Sequence, residues 1–243
     1  MREGLEELER ELRDFAAKYL AVLHGTLSDI NLVSSGLKSN KELFYFSQVL
    51  DSVYPLFRGK SESLNAIKSC GVVVDVGFGG GFPLLPLGLI LPEEIKIIGI
   101  ESISKKVVAV EKIMEELKFE REIKLINNRL ENIEFDRDVV ILFKAVGNVN
   151  DCLSKIRVSN GKRIFVFFYK GPNFYDKENL SVIKSNNANW DLLEEYKYTI
   201  TTGKDGDLIE RLFLGFERNN KRNKKCSKSG PIGPEFLKIS QFL

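Results

Sequence analysis

Apolar residues recur at intervals of three and four along the first part of the chain, between Leu5 and Leu23. This spacing is typical of one face of an amphipathic helix, so we predict a helix over residues 4–24 that packs on the body, with coiled-coil pairing as the alternative. The stretch Lys41–Phe57 has a similar pattern and predicts a second helix. Residues 1–60 are therefore expected to form an N-terminal helical lobe.

From about residue 70 the pattern changes to short apolar runs that alternate with amphipathic stretches. The runs are apolar at every position, as in strands that helices cover on both faces of a parallel sheet. The predicted helices are Pro83–Leu91 and Ser104–Lys118. The predicted strands are Val72–Val76, Ile95–Ile100, Ile123–Ile126, Val139–Phe143 and Arg163–Tyr169.

The last two strand-like runs are Leu192–Thr201 and Leu208–Glu217, and a turn-rich segment joins them. Such a linker favours an antiparallel hairpin. A mostly parallel sheet that ends in a hairpin favours a class I S-adenosylmethionine (SAM)-dependent methyltransferase fold over a dinucleotide dehydrogenase. We thus expect an α/β fold with a doubly wound, seven-stranded sheet over residues 61–218 and an N-terminal helical extension.

Composition excludes several classes of protein. The 243 residues are 43% hydrophobic and 29% charged with a net charge of +2, which excludes wholesale disorder. Three scattered cysteines and one histidine make a disulfide scaffold or a metal site unexpected. No apolar run reaches the roughly 18 residues of a membrane span, and the charged N-terminus lacks an export signal, so we expect a cytoplasmic protein.

A glycine-rich segment, Asp75-Val76-Gly77-Phe78-Gly79-Gly80-Gly81, leaves the first predicted strand and enters a helix. Glycines let a ligand approach the backbone, and free N–H groups at a helix start favour an anion. The NAD-binding fingerprint would place its third glycine at Phe82, so it fails here. The spacing fits a SAM-binding loop, in which the initial Asp75 receives the amino group of the cofactor.

Two further segments follow the next strands. Glu101 ends the second strand, where a carboxylate can accept hydrogen bonds from both ribose hydroxyls. The alternative is an acid that caps the helix beginning at Ser102–Ser104. The segment Asn127–Glu131 follows the third strand and is expected beside the adenine, with a polar surface turn as the alternative.

The end of the fourth strand, Phe143–Gly147, restricts the chemistry. It contains no Asn/Asp-Pro-Pro-aromatic clamp for exocyclic amines and no cysteine for a carbon-5 pyrimidine mechanism, and Cys152 reads as a small core residue. A guanine N7 remains, because its methylation requires alignment more than proton transfer. Lys144 is the polar exception and is expected to contact the cofactor or the substrate, the alternative being a side chain that extends to solvent.

Several motifs together resemble the glucose-inhibited division protein B family, the 16S ribosomal RNA guanine-N7 methyltransferases. The resemblance covers most of the chain. The matching segments are Asn31–Ser34, Gln48–Ser52, the glycine loop with Pro83 and Pro86-Leu87, Glu101-Ser102 with Lys105-Lys106, Arg129–Glu131 and Tyr169–Gly171.

The resemblance implies that SAM contacts fall on the matching positions Gly77, Phe82, Leu130-Glu131 and Lys144. The family usually has Arg in place of Lys144 and His in place of Gln48, and Thr26-Leu27 replaces a Trp-Asn pair. It also implies 16S rRNA or the small ribosomal subunit as partner, and we expect a monomer. The predicted cofactor site thus consists of Asp75, Gly77, Gly79, Phe82, Glu101, Leu130, Glu131 and Lys144.

Candidate RNA contacts lie outside the cofactor motifs. The basic tail, residues 219–243, would attract phosphate without sequence preference, although a disordered solubilising end is an equal alternative. Two other functions stay open: a SAM methyltransferase with another substrate, and a ribosome-binding protein of this fold that has lost turnover. The candidate RNA-binding residues are Asn31, Lys170, Arg211, Lys221, Arg222, Lys224 and Lys225.

Overall fold

A computed structural model describes residues 2–58, 62–201, 207–219 and 236–243. A seven-stranded sheet with strand order β3-β2-β1-β5-β7-β9-β8 forms its centre. The strands are β1 Val72–Val76, β2 Lys96–Glu101, β3 Ile123–Asn127, β4 Ile133–Phe135, β5 Val139–Lys144, β6 Arg157–Val158, β7 Ile164–Lys170, β8 Trp190–Thr201, β9 Leu208–Arg218 and β10 Leu237–Lys238.

Strands β3, β2, β1, β5 and β7 are parallel, and β9 runs antiparallel to both β7 and β8. This topology confirms the predicted class I methyltransferase fold with its terminal hairpin. The register pairs Glu101 with Asn127, and Lys144 with Tyr169. The predicted site residues at these strand ends therefore lie along one edge of the sheet.

Helices cover both faces of the sheet. They are α1 Arg2–His24, α2 Ser35–Ser39, α3 Lys41–Phe44, α4 Asp51–Arg58, α5 Glu62–Cys70, α6 Leu84–Ile90, α7 Ser104–Glu116, α8 Val149–Lys155, α9 Phe174–Lys177 and α10 Leu180–Asn186. Side chains alternate along each strand, so Val73 and Leu142 face the core beneath the N-terminal helices. Their neighbours Val74 and Ile141 face a second core with α8 and α10. We call these the N-lobe face and the α8 face.

The N-terminal helices depart from a simple amphipathic pair. Helix α1 has the predicted extent and buries Leu12, Tyr19 and Leu20. The second predicted helix is interrupted, because a π-helix, Tyr45–Leu50, separates α3 from α4. Such π-turns leave backbone carbonyls available to side chains and are frequent at functional sites.

Several elements were not predicted from the sequence, among them the short helices α2, α9 and α10. Helix α5 precedes β1, and a small parallel sheet has the order β10-β4-β6. In it the last residues of the chain pair with β4, and Ile239 is fully buried in the core of the α8 face. Among the described residues, no helix is both long and apolar enough to cross a membrane.

Candidate functional site

The glycine loop makes a tight turn after β1. Gly77, Gly79 and Gly81 all have positive φ, a region that side chains other than glycine rarely adopt. The N–H of Gly77 donates to the carbonyl of Ile100 at 2.7 Å, which ties the loop to β2. A Cβ at Gly77 would lie 2.6 Å from Val146, so the loop packs directly on the segment after β5.

Glu101 at the end of β2 is 5% exposed and holds two backbone amides. Its Oε2 accepts from the Gly79 N–H at 3.1 Å, and its Oε1 accepts from the Ile103 N–H at 2.9 Å. The second bond matches the helix-capping alternative, because Ile103 directly precedes α7. Each carboxylate oxygen can accept a further bond, so these contacts are compatible with ribose binding as well.

A cavity of about 270 Å³ opens beside Glu101 at the carboxyl edge of the sheet. Predicted cofactor residues Gly77, Leu130 and Glu131 line it, as do Ile100 and Ser102 on either side of Glu101. Its other walls come from β5 and α8, and the residues there are Phe143, Val146, Gly147, Asp151, Cys152 and Lys155. An apolar floor with a polar rim suits a nucleoside.

The rim and the wall of the cavity differ in charge. Glu131 forms an ion pair with Lys155 at 3.0 Å, and its own backbone N–H together with Lys155 lowers the pKa of this carboxyl. Cys152 is 5% exposed, and burial raises the pKa of its thiol to about 11. The thiol is therefore protonated at neutral pH and acts as a packing residue, not as a nucleophile.

Asp75 lies on the N-lobe face at the end of β1 and is 1% exposed. Its Oδ2 accepts from the Leu84 N–H at 3.0 Å, whereas its Oδ1 has no hydrogen-bond partner among the described residues. Burial raises the pKa of Asp75 to about 8. A buried acceptor without a partner is costly and marks a position where a ligand donor would be stabilised.

These features fit SAM. The free oxygen of Asp75 can accept from the amino group of SAM, and Glu101 offers acceptors for the two ribose hydroxyls. The cavity wall offers apolar surface for the adenine. Gly79 belongs to this set through its bond to Glu101. Phe82 lies apart from the cavity lining, buried between the rings of Tyr19 and Phe44.

Lys144 points away from the cavity. Its neighbour Phe143 lines the cavity, and strand alternation places Lys144 on the N-lobe face, where its side chain is 9% exposed. Its Nζ lies 3.4 Å from Oδ2 of Asp51 and donates to the Ser47 carbonyl at 3.3 Å and to Gln48 at 3.4 Å. Burial lowers the pKa of Lys144.

Asp51 is the centre of this buried cluster, which we call the Asp51 cluster: Asp51, Lys144, Tyr198 and Arg211. Asp51 is 3% exposed, and it accepts from the Tyr198 hydroxyl at 2.8 Å. Arg211 Nε lies 3.6 Å from its Oδ1. Two cations and one carboxylate thus join the N-terminal helices to the ends of β5 and β9.

The candidate RNA-binding residues occupy different surroundings. Asn31 is exposed, and the next residue, Leu32, lies against Gly80 of the glycine loop. Lys170 donates to the Gly147 carbonyl at 2.9 Å and pairs with Glu178 at 2.8 Å, so it closes a loop. Arg211 faces the Asp51 cluster. Residues Lys221, Arg222, Lys224 and Lys225 lie outside the described residues.

Two contacts of this site were missed in the sequence. Tyr19 on α1 donates to the Gly80 carbonyl at 2.6 Å, and so fixes the glycine loop to the N-terminal lobe. Asp51 was noted only within a motif, although a carboxylate beside the apolar positions 49 and 53 of a helix signals a buried partner.

Comparisons with known proteins agree with this geometry. The family model of rRNA small subunit methyltransferase G matches residues 13–208. A "Ribosomal RNA small subunit methyltransferase G" from Pseudothermotoga lettingae is 28% identical over 207 residues, which cover 82% of this chain and 84% of the relative. The relative of the same name from Aquifex aeolicus is 37% identical over 106 residues, 42% of this chain and half of its own.

Among solved structures, P. horikoshii TYW2 in complex with MeSAdo aligns with a TM-score of 0.45 and 15% identity, over 65% of this chain and 63% of that one. The family match is the informative result, since it spans the glycine loop, Glu101, the cavity wall and most of the helical lobe. The chain belongs to the rRNA small subunit methyltransferase G family.

Proposed function

We propose that this family member transfers a methyl group from SAM to N7 of a guanine in the 16S RNA of the small ribosomal subunit. The observation that supports this best is the cavity at the carboxyl edge, which is bounded by the glycine loop and flanks the buried Glu101. In open α/β sheets ligands bind at this edge, at the point where strand order reverses. Here that point lies between β1 and β5.

The residues divide into those that would hold SAM and those that support them. Asp75, Gly77, Gly79, Glu101, Leu130 and Glu131 are the proposed cofactor contacts. When bound, SAM supplies an electrophilic methyl group. Phe82 and Tyr19 support the glycine loop from the side of the N-terminal helices. Their ring centres are 5.0 Å apart, and the Tyr19 hydroxyl donates to the Gly80 carbonyl.

The target atom follows from the chemistry that the site offers. Cys152 is a buried, protonated thiol, so it is unsuited to act as the nucleophile that carbon-5 methylation of a pyrimidine requires. Lys144 is the one ionisable residue of the segment 143–147, and Asp51 holds its ammonium on the N-lobe face, so this segment presents no base to the cavity. Guanine N7 has a free lone pair and no proton, so alignment against the methyl group is sufficient. This supports N7 as the acceptor.

Lys144 is proposed as the positioning residue of this reaction. Its ammonium is held by Asp51 and by two acceptors of the π-helix, so its position is fixed relative to the helical lobe. In that place it links the π-helix to the carboxyl end of β5, and so fixes the segment after β5 whose Val146 and Gly147 line the cofactor cavity.

The partner is the small subunit or its RNA, and the basic segment with Lys221, Arg222, Lys224 and Lys225 supplies sequence-independent attraction to it. Asn31 beside the glycine loop is the exposed candidate for a direct contact. We also propose that the protein acts as a monomer in the cytoplasm, where its substrate is assembled.

The test is methylation of small subunits that lack this modification, with labelled SAM and the full chain. We expect label in 16S RNA, and cleavage at the labelled base after borohydride and aniline, a treatment that reports N7-methylguanine. Label that resists this cleavage would contradict N7. Label in protein or small molecules only would favour a methyltransferase with another substrate, and SAM binding without transfer would favour the non-catalytic alternative.

A further inference from the structure

Two cavities continue the cofactor cavity along the carboxyl edge of the sheet. The first, of about 280 Å³, shares Gly147 with the cofactor cavity and contains Lys170. The second, of about 370 Å³, shares Gly171, Pro172 and Phe174 with the first. We call this second one the hairpin cavity. The three cavities therefore lie side by side between the cofactor site and the terminal hairpin, and Lys170 with its bonds to Gly147 and Glu178 lies at the junction nearest the cofactor.

The floor of the hairpin cavity is the hairpin itself. Thr199 on β8 pairs with Glu210 on β9, and Lys197 pairs with Leu212. Leu212 faces the core on the α8 face, and side chains alternate along a strand, so Glu210 lies on that same face. Arg211 lies on the opposite face with Asp51. Tyr198 and Arg211 from that opposite face also line the hairpin cavity, so it extends over the carboxyl edge of the sheet from the face of the cofactor cavity.

The wall of the hairpin cavity presents an aromatic ring held in place. Tyr175 is 46% exposed, its hydroxyl donates to Glu195 at 2.5 Å, and the Lys197 ammonium lies 4.6 Å from the ring centre. Unpaired RNA bases are commonly recognised by stacking on such rings and by hydrogen bonds to their Watson–Crick edge.

Glu210 is the acidic side chain in the lining of the hairpin cavity. It is exposed, and among the described residues its carboxylate forms no hydrogen bond or ion pair. A carboxylate only accepts hydrogen bonds, so it repels phosphate and suits an edge with two adjacent donors. Guanine presents such an edge in N1–H and N2–H₂, next to O6, an acceptor that suits an ammonium such as that of Lys197 in the same lining.

We propose that the hairpin cavity receives the guanine that is methylated, with its Watson–Crick edge on Glu210 and Lys197 and its ring against Tyr175. This rests on the proposed function. N7 lies at the end of the purine opposite to N1 and N2, so a guanine held in this way directs N7 toward the neighbouring cavity. That is the direction of Gly147 and of the cofactor cavity. Glu210 is then a specificity-determining residue.

The test compares Glu210→Gln and Tyr175→Ala with Glu217→Gln, a control at the other end of β9, and with Tyr175→Phe, which keeps the ring. Each full-length variant is assayed for methylation of unmodified small subunits and, by calorimetry, for SAM affinity. We expect kcat/KM for subunits to fall at least tenfold in Glu210→Gln and Tyr175→Ala and to change less than threefold in the control Glu217→Gln. Tyr175→Phe should retain more activity than Tyr175→Ala, because the stacking ring remains. SAM affinity should stay the same in all four.

Wild-type kcat/KM in both Glu210→Gln and Tyr175→Ala, with an active wild-type enzyme, would overturn the guanine subsite and leave the proposed function intact. Equal losses in Tyr175→Phe and Tyr175→Ala would overturn the stacking role. A wild-type enzyme that transfers no methyl group to 16S RNA would overturn the proposed function, and the subsite with it.

Discussion

Glu101 connects the fold and the cofactor site, and Glu101→Gln separates its two roles. The carboxylate accepts from the backbone amides of Gly79 and Ile103 at 3.1 and 2.9 Å, and it is almost fully buried. A glutamine has one carbonyl oxygen, so one of these amides loses its acceptor and the other keeps a neutral one. A hydrogen bond to a charged group contributes about 1.5–3 kcal/mol, so we expect the free energy of unfolding to fall by about that amount.

The same substitution removes one acceptor from the proposed ribose contact. We expect SAM affinity to fall at least tenfold, which corresponds to about 1.4 kcal/mol. The assays are urea unfolding for stability, and calorimetry with SAM at a temperature where the variant is folded. Glu134→Gln is the matched control. Glu134 on β4 also accepts a hydrogen bond, from the Ser159 hydroxyl at 2.7 Å, but it lies outside the cavity lining.

The outcome that refutes the ribose assignment is specific. If Glu101→Gln is less stable but binds SAM with wild-type affinity, Glu101 caps the loop and α7 and does not hold the ribose. If neither quantity changes, the two amide bonds contribute nothing measurable, and Glu101 neither stabilises the glycine loop nor holds the ribose.

Three further predictions concern other parts of the site. Lys144→Ala should lower kcat at saturating SAM at least tenfold, and Lys144→Arg should preserve it because the charge beside Asp51 remains; equal losses in both variants would contradict a role for the charge. Burial raises the pKa of Asp75 to about 8, so the ligand-free protein keeps a proton that the unfolded chain loses above about pH 4, and its stability should fall as pH rises from 5 to 8. Urea unfolding at a series of pH values should show that the free energy of unfolding depends less on pH in Asp75→Asn than in the wild type, and equal pH dependence would contradict this. Glutamine can replace four cations of the basic tail, Lys221, Arg222, Lys224 and Lys225. RNA binding should then weaken most at low salt and depend less on salt concentration, while SAM affinity stays unchanged. An unaltered salt dependence would show that these residues do not contact RNA.

The sequence predicts the sheet well because its strands are apolar at every position and alternate with helices. The extents of β1, β5, β7 and the hairpin follow from that pattern, and the glycine loop follows from its spacing. The π-helix and the pairing of β10 with β4 depend on long-range contacts that leave no local periodicity. Substitution in place, rather than truncation, is therefore the cleaner test of the tail, because Ile239 is part of the core.

The candidate site divides in the same way. Residues whose role depends on backbone position, such as Gly77 and Glu101, could be predicted from the order of strands and loops. Side-chain direction could not, because strand alternation turns Lys144 toward Asp51 while Phe143 faces the cavity. The partner of Lys144 is about a hundred residues away in the chain, so only the folded structure shows that its charge is compensated.

The proposed activity of this chain, methylation of guanine N7 in 16S RNA, can be measured directly. The most direct measurement is mass spectrometry of 16S RNA nucleosides from small subunits incubated with SAM and the full chain, with subunits that lack the modification as the starting material. We predict one N7-methylguanosine per 16S RNA, which is absent without the protein. Unmodified RNA, or a methyl group on any other atom, would contradict the account.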